Sequence, residues 1–147
     1  MSDQINLKPD IKQTVPFLAV SNMEASLYFY VDGLGFEITN QWMPRGKIEW
    51  CSLQRGGGTL MLQESHKEGF HEWVPGSKVG VGVSIVFICE DALDMYLEFI
   101  GNGLEVSEPF VGNGMWVVSL KDTDGYSVEF ESITDVPEET RFSEWNK

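Results

Sequence analysis

Positive charge is what this 147-residue chain has least of: 10 Lys and Arg stand against 23 Asp and Glu, a formal net charge of −13. Binding to a phosphate backbone draws on clustered Lys and Arg. Here Lys47, Lys67 and Lys121 are scattered among acids, which argues against nucleic acid as a partner and, for the same reason, against an anionic membrane surface. Cysteine is scarcer still. Cys51 and Cys89 lie far apart in apolar surroundings and form no CxxC or zinc-type spacing, so they read as reduced, buried thiols. No apolar run approaches the ~20 residues that a membrane span needs. Met1 to Asp10 is polar rather than a basic and apolar leader, so a cytoplasmic location is expected.

Histidine is also rare. His66 and His71 are five apart, not at the i, i+4 spacing of a helical HExxH site, and stand with Glu68 and Glu72 in a stretch rich in turn residues. That is a poor metal site. Walker loops, GxGxxG and a Ser-His-Asp order are missing too. Gly56 to Gly58 falls between two strand-like segments with no helix after it, so it is no phosphate cradle.

What is present is a repeated order of elements. Thr14 to Val20 reads as a strand, and Ser21 opens a helix through Ser21-Asn22-Met23-Glu24, the S-x-x-E form of a capping box. Met23, Leu27, Tyr30, Val31 and Leu34 then make an apolar stripe of helical period. Strands are predicted over Phe36 to Trp42, Ile48 to Gln54 and Thr59 to Gln63. The pattern returns with a strand over Val81 to Cys89, a helix over Asp91 to Ile100, and strands over Leu104 to Val111, Met115 to Lys121 and Tyr126 to Ser132.

An offset of 68 pairs Tyr28 with Tyr96, Gly33 with Gly101 and Gly35 with Gly103; an offset of 67 pairs Ser52-Leu53 with Ser119-Leu120 and Glu64-Ser65 with Glu131-Ser132. The chain is therefore an internal duplication of a βαβββ module: 12–64 and 81–132, with a linker over 65–80 and an acidic tail over 133–147 that carries Phe142 and Trp145. A sheet covered by its helix on one face leaves the other face to be buried against something. A shared cavity between two curved sheets, or a dimer interface, meets that need.

Pro16-Phe17-Leu18-Ala19-Val20-Ser21-Asn22, Phe29-Tyr30 with Gly33-Leu34-Gly35-Phe36, Leu60-Met61-Leu62-Gln63-Glu64, and Asp122-Thr123-Asp124-Gly125-Tyr126-Ser127-Val128-Glu129 together resemble the vicinal oxygen chelate superfamily of glyoxalase I, bleomycin-resistance proteins and extradiol dioxygenases. The resemblance implies an α+β fold of two βαβββ modules whose mixed sheets curve into a cup, in one such domain over 1–147, and a homodimer. Family enzymes hold a divalent metal in the cup. The corresponding positions here are Val15, Leu62, Val83 and Glu129, or Thr14, Gln63 and Ser84 in place of the first three if the register shifts by one. Neither set holds a histidine, so no metal and no cofactor are expected.

The resemblance thus points to the bleomycin-resistance branch, whose members bind a drug without transforming it. A small cationic, aromatic molecule suits the acid excess. Glu129 would meet the cation, Phe17 and Phe87 would line the cavity, and Trp50 and Trp116, with Trp42, would form its wall; Trp73 in the linker would close over it. Two other readings stand beside this one: a metal-dependent lyase, isomerase or dioxygenase of the same superfamily, and a protein-association module with a vestigial cup.

Overall fold

The computed structural model describes residues 8–65 and 77–145. The elements run β1 (Phe17–Val20), α1 (Met23–Leu27) continued by a π-helical turn (Tyr28–Gly33), β2 (Glu37–Trp42), β3 (Trp50–Arg55), β4 (Gly58–Glu64), β5 (Ser84–Ile88), α2 (Ala92–Gly101), β6 (Phe110–Gly112), β7 (Met115–Lys121), β8 (Ser127–Ile133) and α3 (Phe142–Trp145). They form two four-stranded mixed sheets, ordered β1-β4-β3-β2 and β5-β8-β7-β6. The first strand of each sheet runs parallel to the last and the other pairs are antiparallel. The α+β architecture of two βαβββ units is as the sequence implies. Most of the expected linker, with both histidines and Trp73, lies outside the described residues.

Several local details differ from expectation. β1 starts at Phe17 rather than Thr14, because Pro16 has no N–H to give the ladder; its carbonyl still accepts from Met61. The strand expected over Leu104 to Val111 shrinks to Phe110–Gly112, with Pro109 just before it. Ser21 does not cap the first helix. The Asn22 side chain accepts from the Ala25 amide at 3.0 Å, as Asp91 does from Asp94 at the start of α2. Ser21 instead donates its amide and hydroxyl to Asp124 of the second module.

Superposing the modules locates where the repeat slips. The two capping residues, Asn22 and Asp91, are 69 positions apart, whereas Gly35 and Gly103, both at positive φ just past the helix, are 68 apart. The extra residue in the first helix is taken up by the π turn, whose wider winding accommodates one insertion without changing the exit. Further on, β3 and β4 close through a two-residue loop, since Arg55 pairs with Gly58, while β7 and β8 need five residues between Lys121 and Ser127.

Leu53 pairs with Leu60 and Leu120 with Val128, so β4 matches β8 at an offset of 68. The expected equivalence of Leu62 with Glu129 is therefore corrected: Leu62 is fully buried in the core, and Met61 is the counterpart of Glu129. Glu64 answers to Ser132. Each satisfies the first amide of its module's helix, Glu64 that of Met23 at 2.9 Å and Ser132 that of Ala92 at 2.8 Å. Glu64 also pairs with Lys47, so it faces the helix and not the cup.

One core joins the modules on their helix sides. Phe36 meets Phe87 and Phe87 meets Phe130, both at 5.4 Å between ring centroids. The β7–β8 loop clamps the first module: Asp122 accepts from the buried Tyr30 hydroxyl at 2.8 Å and from the amides of Asp124, Gly125 and Tyr126, while the Tyr126 hydroxyl donates to the Ala19 carbonyl. Arg55 on the β3–β4 hairpin returns the contact by pairing with Glu98 of α2. Burial drives the Tyr30 phenol well above its usual value and raises the Asp122 carboxyl.

The tail docks. Val111 exchanges backbone hydrogen bonds with Glu139 and Thr140, and Phe142 donates to the Pro109 carbonyl, so the outer edge of β6 is covered. Phe142 and Trp145 then pack on Trp116, and Phe142 also on Tyr96.

Candidate functional site: the open faces of the two sheets

Strand alternation assigns every side chain to the helix-covered face or to the open one. In the first module Leu18, Val20, Cys51, Leu53, Leu60 and Leu62 are buried under the helix. The open face carries Phe17 across from Met61 and Ser52, and Trp50 across from Gln63 and Trp42. In the second module Val118, Leu120, Val128 and Phe130 are buried, and the open face carries Val86 across from Glu129 and Ser119, and Ile88 across from Glu131 and Val117.

The expected site residues therefore divide. Glu129 lies on the open face of β8, half-buried, where it lines a cavity of about 510 Å³ with Ser119, Lys121, Ser127 and the stretch Glu105 to Ser107. Phe17 and Trp50 share the open face of the first sheet, each half-buried. Phe87 does not. It sits on the helix face of β5, between Phe36 and Phe130, because its alternation partner is Ile85 and not Val86. Trp116 is likewise turned to the helix side, where the tail rings cover it. Phe87 falls there because Phe17 answers to Val86 at an offset of 69 rather than to Phe87, and Trp116 because Trp50 answers to Val117.

The residue that sequence reasoning underused is Glu131. It is two positions from Glu129 on the same face of β8. Desolvation first, then the neighbouring Glu129 carboxylate, raise the Glu131 carboxyl above its usual range, since two adjacent carboxylates resist double ionisation. The i, i+2 spacing of two acids in the D-x-D-G-x-x-x-E-x-E run was the available signal.

A divalent metal does not fit these residues. Of the four implied positions, Leu62 is in the core, Val83 precedes β5 and is 62% exposed, and Val15 offers no donor. On the open faces the equivalent places hold Phe17, Met61, Gln63, Ser84 and Val86. Among the described residues no three His, Cys, Asp or Glu converge. The thiols offer no reactive alternative: burial pushes Cys51 up to about 11, and Cys89, also raised, donates to the Glu131 carbonyl.

The sequence matches the family described as the glyoxalase/bleomycin resistance protein/dioxygenase superfamily over residues 11–130. The chain belongs to that superfamily. No curated protein matches it significantly. Among solved structures, the bleomycin-binding protein in complex with bleomycin has 20% identity and a TM-score of 0.64, covering 84% of this chain and 100% of that one. TnmS3, an antibiotic binding protein from Streptomyces sp. CB03234, has 17% identity and a TM-score of 0.63 over 86% of this chain and 100% of that one. A glyoxalase/bleomycin resistance protein/dioxygenase from Nocardioides has 16% identity and a TM-score of 0.65 over 92% of each. At these identities the likeness is one of fold. No helix among the described residues is long and apolar enough to cross a membrane.

Proposed function

We propose that this superfamily member is a metal-independent, cytoplasmic binding protein for a small cationic, aromatic molecule, and that it works as a homodimer. The observation that carries the reading is Glu129: the one donor at the four positions where superfamily enzymes hold metal is a carboxylate lining a cavity with Glu105, Ser119 and Ser127, where Lys121 donates to the Ser127 hydroxyl, and Glu131 stands two positions along the same face. Such a wall attracts a ligand cation and offers it hydrogen-bond acceptors. Phe17 and Trp50, on the open face of the other sheet, supply flat apolar surface for the ligand's rings.

The dimer follows from what one chain leaves uncovered. Val86 is 42% and Ile88 64% exposed on the open face of β5, and Trp42 is 51% exposed on β2. A second copy would bury these residues and close the cup. Two neighbours of this fold bind antibiotics, as their names state, which supports the ligand class without identifying the ligand.

The test is a titration with bleomycin followed by tryptophan fluorescence, alongside metal analysis of protein purified without chelator. We expect saturable quenching that weakens about tenfold or more in Glu129→Gln, as loss of a charged hydrogen bond implies, and no stoichiometric metal. One Zn, Ni, Fe or Mn per chain that is lost in Glu129→Gln would refute metal independence. A monomer in sedimentation at all concentrations would refute the dimer.

A further inference from the structure

A second cavity, of about 830 Å³, lies between the modules and reaches from their helix side to Val86 and Ile88 on the edge strand β5. Its walls are the β3–β4 hairpin of one module and β5 with the start of α2 of the other. Phe87 forms the floor, its ring half-buried and braced by Phe36 and Phe130. The hairpin backbone abuts the Cδ1–Cε1 edge of that ring, since a Cβ on Gly58 would come within 2.9 Å of it. Around Gly56 and Gly57 there is open space.

The rim is unbalanced in charge. Glu90, Asp91, Asp94 and Glu98 line it against a single cation, Arg55. That cation is spent, because its guanidinium is bidentate to Glu98 at 2.7 and 2.9 Å and also donates to the Leu34 carbonyl. Asp91 uses one oxygen to cap α2. Among the described residues no cation is paired with Glu90, Asp91 or Asp94. An aromatic floor beneath an uncompensated acidic rim is complementary to a flat apolar body that carries a positive charge.

We propose that this intermodule groove is a second ligand site, distinct from the cup, for a small aromatic ammonium whose ring lies on Phe87 and whose amine faces Glu90 and Asp94. A ligand there touches both modules and so favours their docked arrangement. The site stands on its own residues and does not depend on the reading of the cup.

The probe is 2-naphthylmethylammonium, titrated into the full chain and followed through backbone amides by NMR. The amides of Gly56, Gly57, Gly58 and Cys89 should shift saturably. Asp94→Lys, an exposed change, should weaken binding by about fivefold or more with an unchanged melting temperature, and neutral 2-naphthylmethanol should bind by at least as much more weakly. Glu129→Gln should leave the groove titration unaltered. Shifts confined to Ser119, Ser127 and Glu129, no shift at millimolar probe, equal binding of the alcohol, or an Asp94→Lys protein that binds as tightly as the parent would each overturn the proposal.

Discussion

The first and second modules share an element order and a buried pattern but differ on the faces they leave open. Under the helices, the matched positions stay apolar: Cys51 answers to Val118, Leu53 to Leu120, Leu60 to Val128 and Leu62 to Phe130. On the open faces, Met61 answers to Glu129 and Gln63 to Glu131. Burial under a helix tolerates only apolar side chains of similar volume, so duplication preserves that side. The open side is free to diverge, and here one face has become aromatic and amide-rich while the other has become acidic.

The outer edges differ as well. β6 is covered by the tail, whereas β2 carries a bulge at Thr39 and satisfies the Gln41 amide with the Asn40 side chain. Both devices blunt a strand that would otherwise pair with another chain.

The same charge placed on adjacent residues of β4 should separate the two faces most strongly. Leu62→Glu should cost about 4 kcal/mol or more, since it buries an unpaired carboxylate, while Met61→Glu, which merely copies Glu129, should cost under about 1 kcal/mol. Urea unfolding of both variants decides; equal costs would return β4 to the 67 register.

Next in size is the tail. Phe142→Ala should destabilise by about 2 kcal/mol, less than a fully buried ring because Phe142 is only half-buried, and should expose Trp116 to a fluorescence quencher. The first module has no matching contact among the described residues, so Tyr28→Ala, on the first helix and 69% exposed, should change stability by no more than about 0.5 kcal/mol.

The caps come third. Asn22→Ala and Asp91→Ala should each cost about 1 kcal/mol, whereas Ser21→Ala should leave helix amide protection intact and loosen the Asp124 clamp. Hydrogen exchange at Ala25 and Asp94 separates these outcomes.

The smallest effect is in pH. The Glu131 carboxyl is raised in the folded state, so its protonated form favours folding. That contribution is fully present below the ordinary glutamate range and is lost as pH rises through the higher folded value. Glu129→Gln removes the neighbouring charge and should bring the Glu131 titration, read by carboxyl NMR, back toward its usual value. An unmoved titration would show that desolvation alone sets it.

Much of the architecture is written locally. Helical stripes, strand runs, paired glycines after each helix and the Asp-Gly turn need only nearest-neighbour physics, and they sufficed for two βαβββ units and for Glu129 on an open face. The aromatic pair Phe142 and Trp145 is visible in the acidic tail, but not its seat on Trp116 and Tyr96. What the sequence alone could not decide was which face each strand presents. A strand alternates with period two, so a slip of one residue exchanges core for cup. That slip is set by a π turn that absorbs one residue in the first helix and by loops of two and five residues between the last strands. Phe87 and Trp116, expected to line the cup, and Leu62, at an implied metal position, are all on the helix side. The hydrophobic pattern determines that there are two faces, but only the closed backbone ladder determines which residue stands on which.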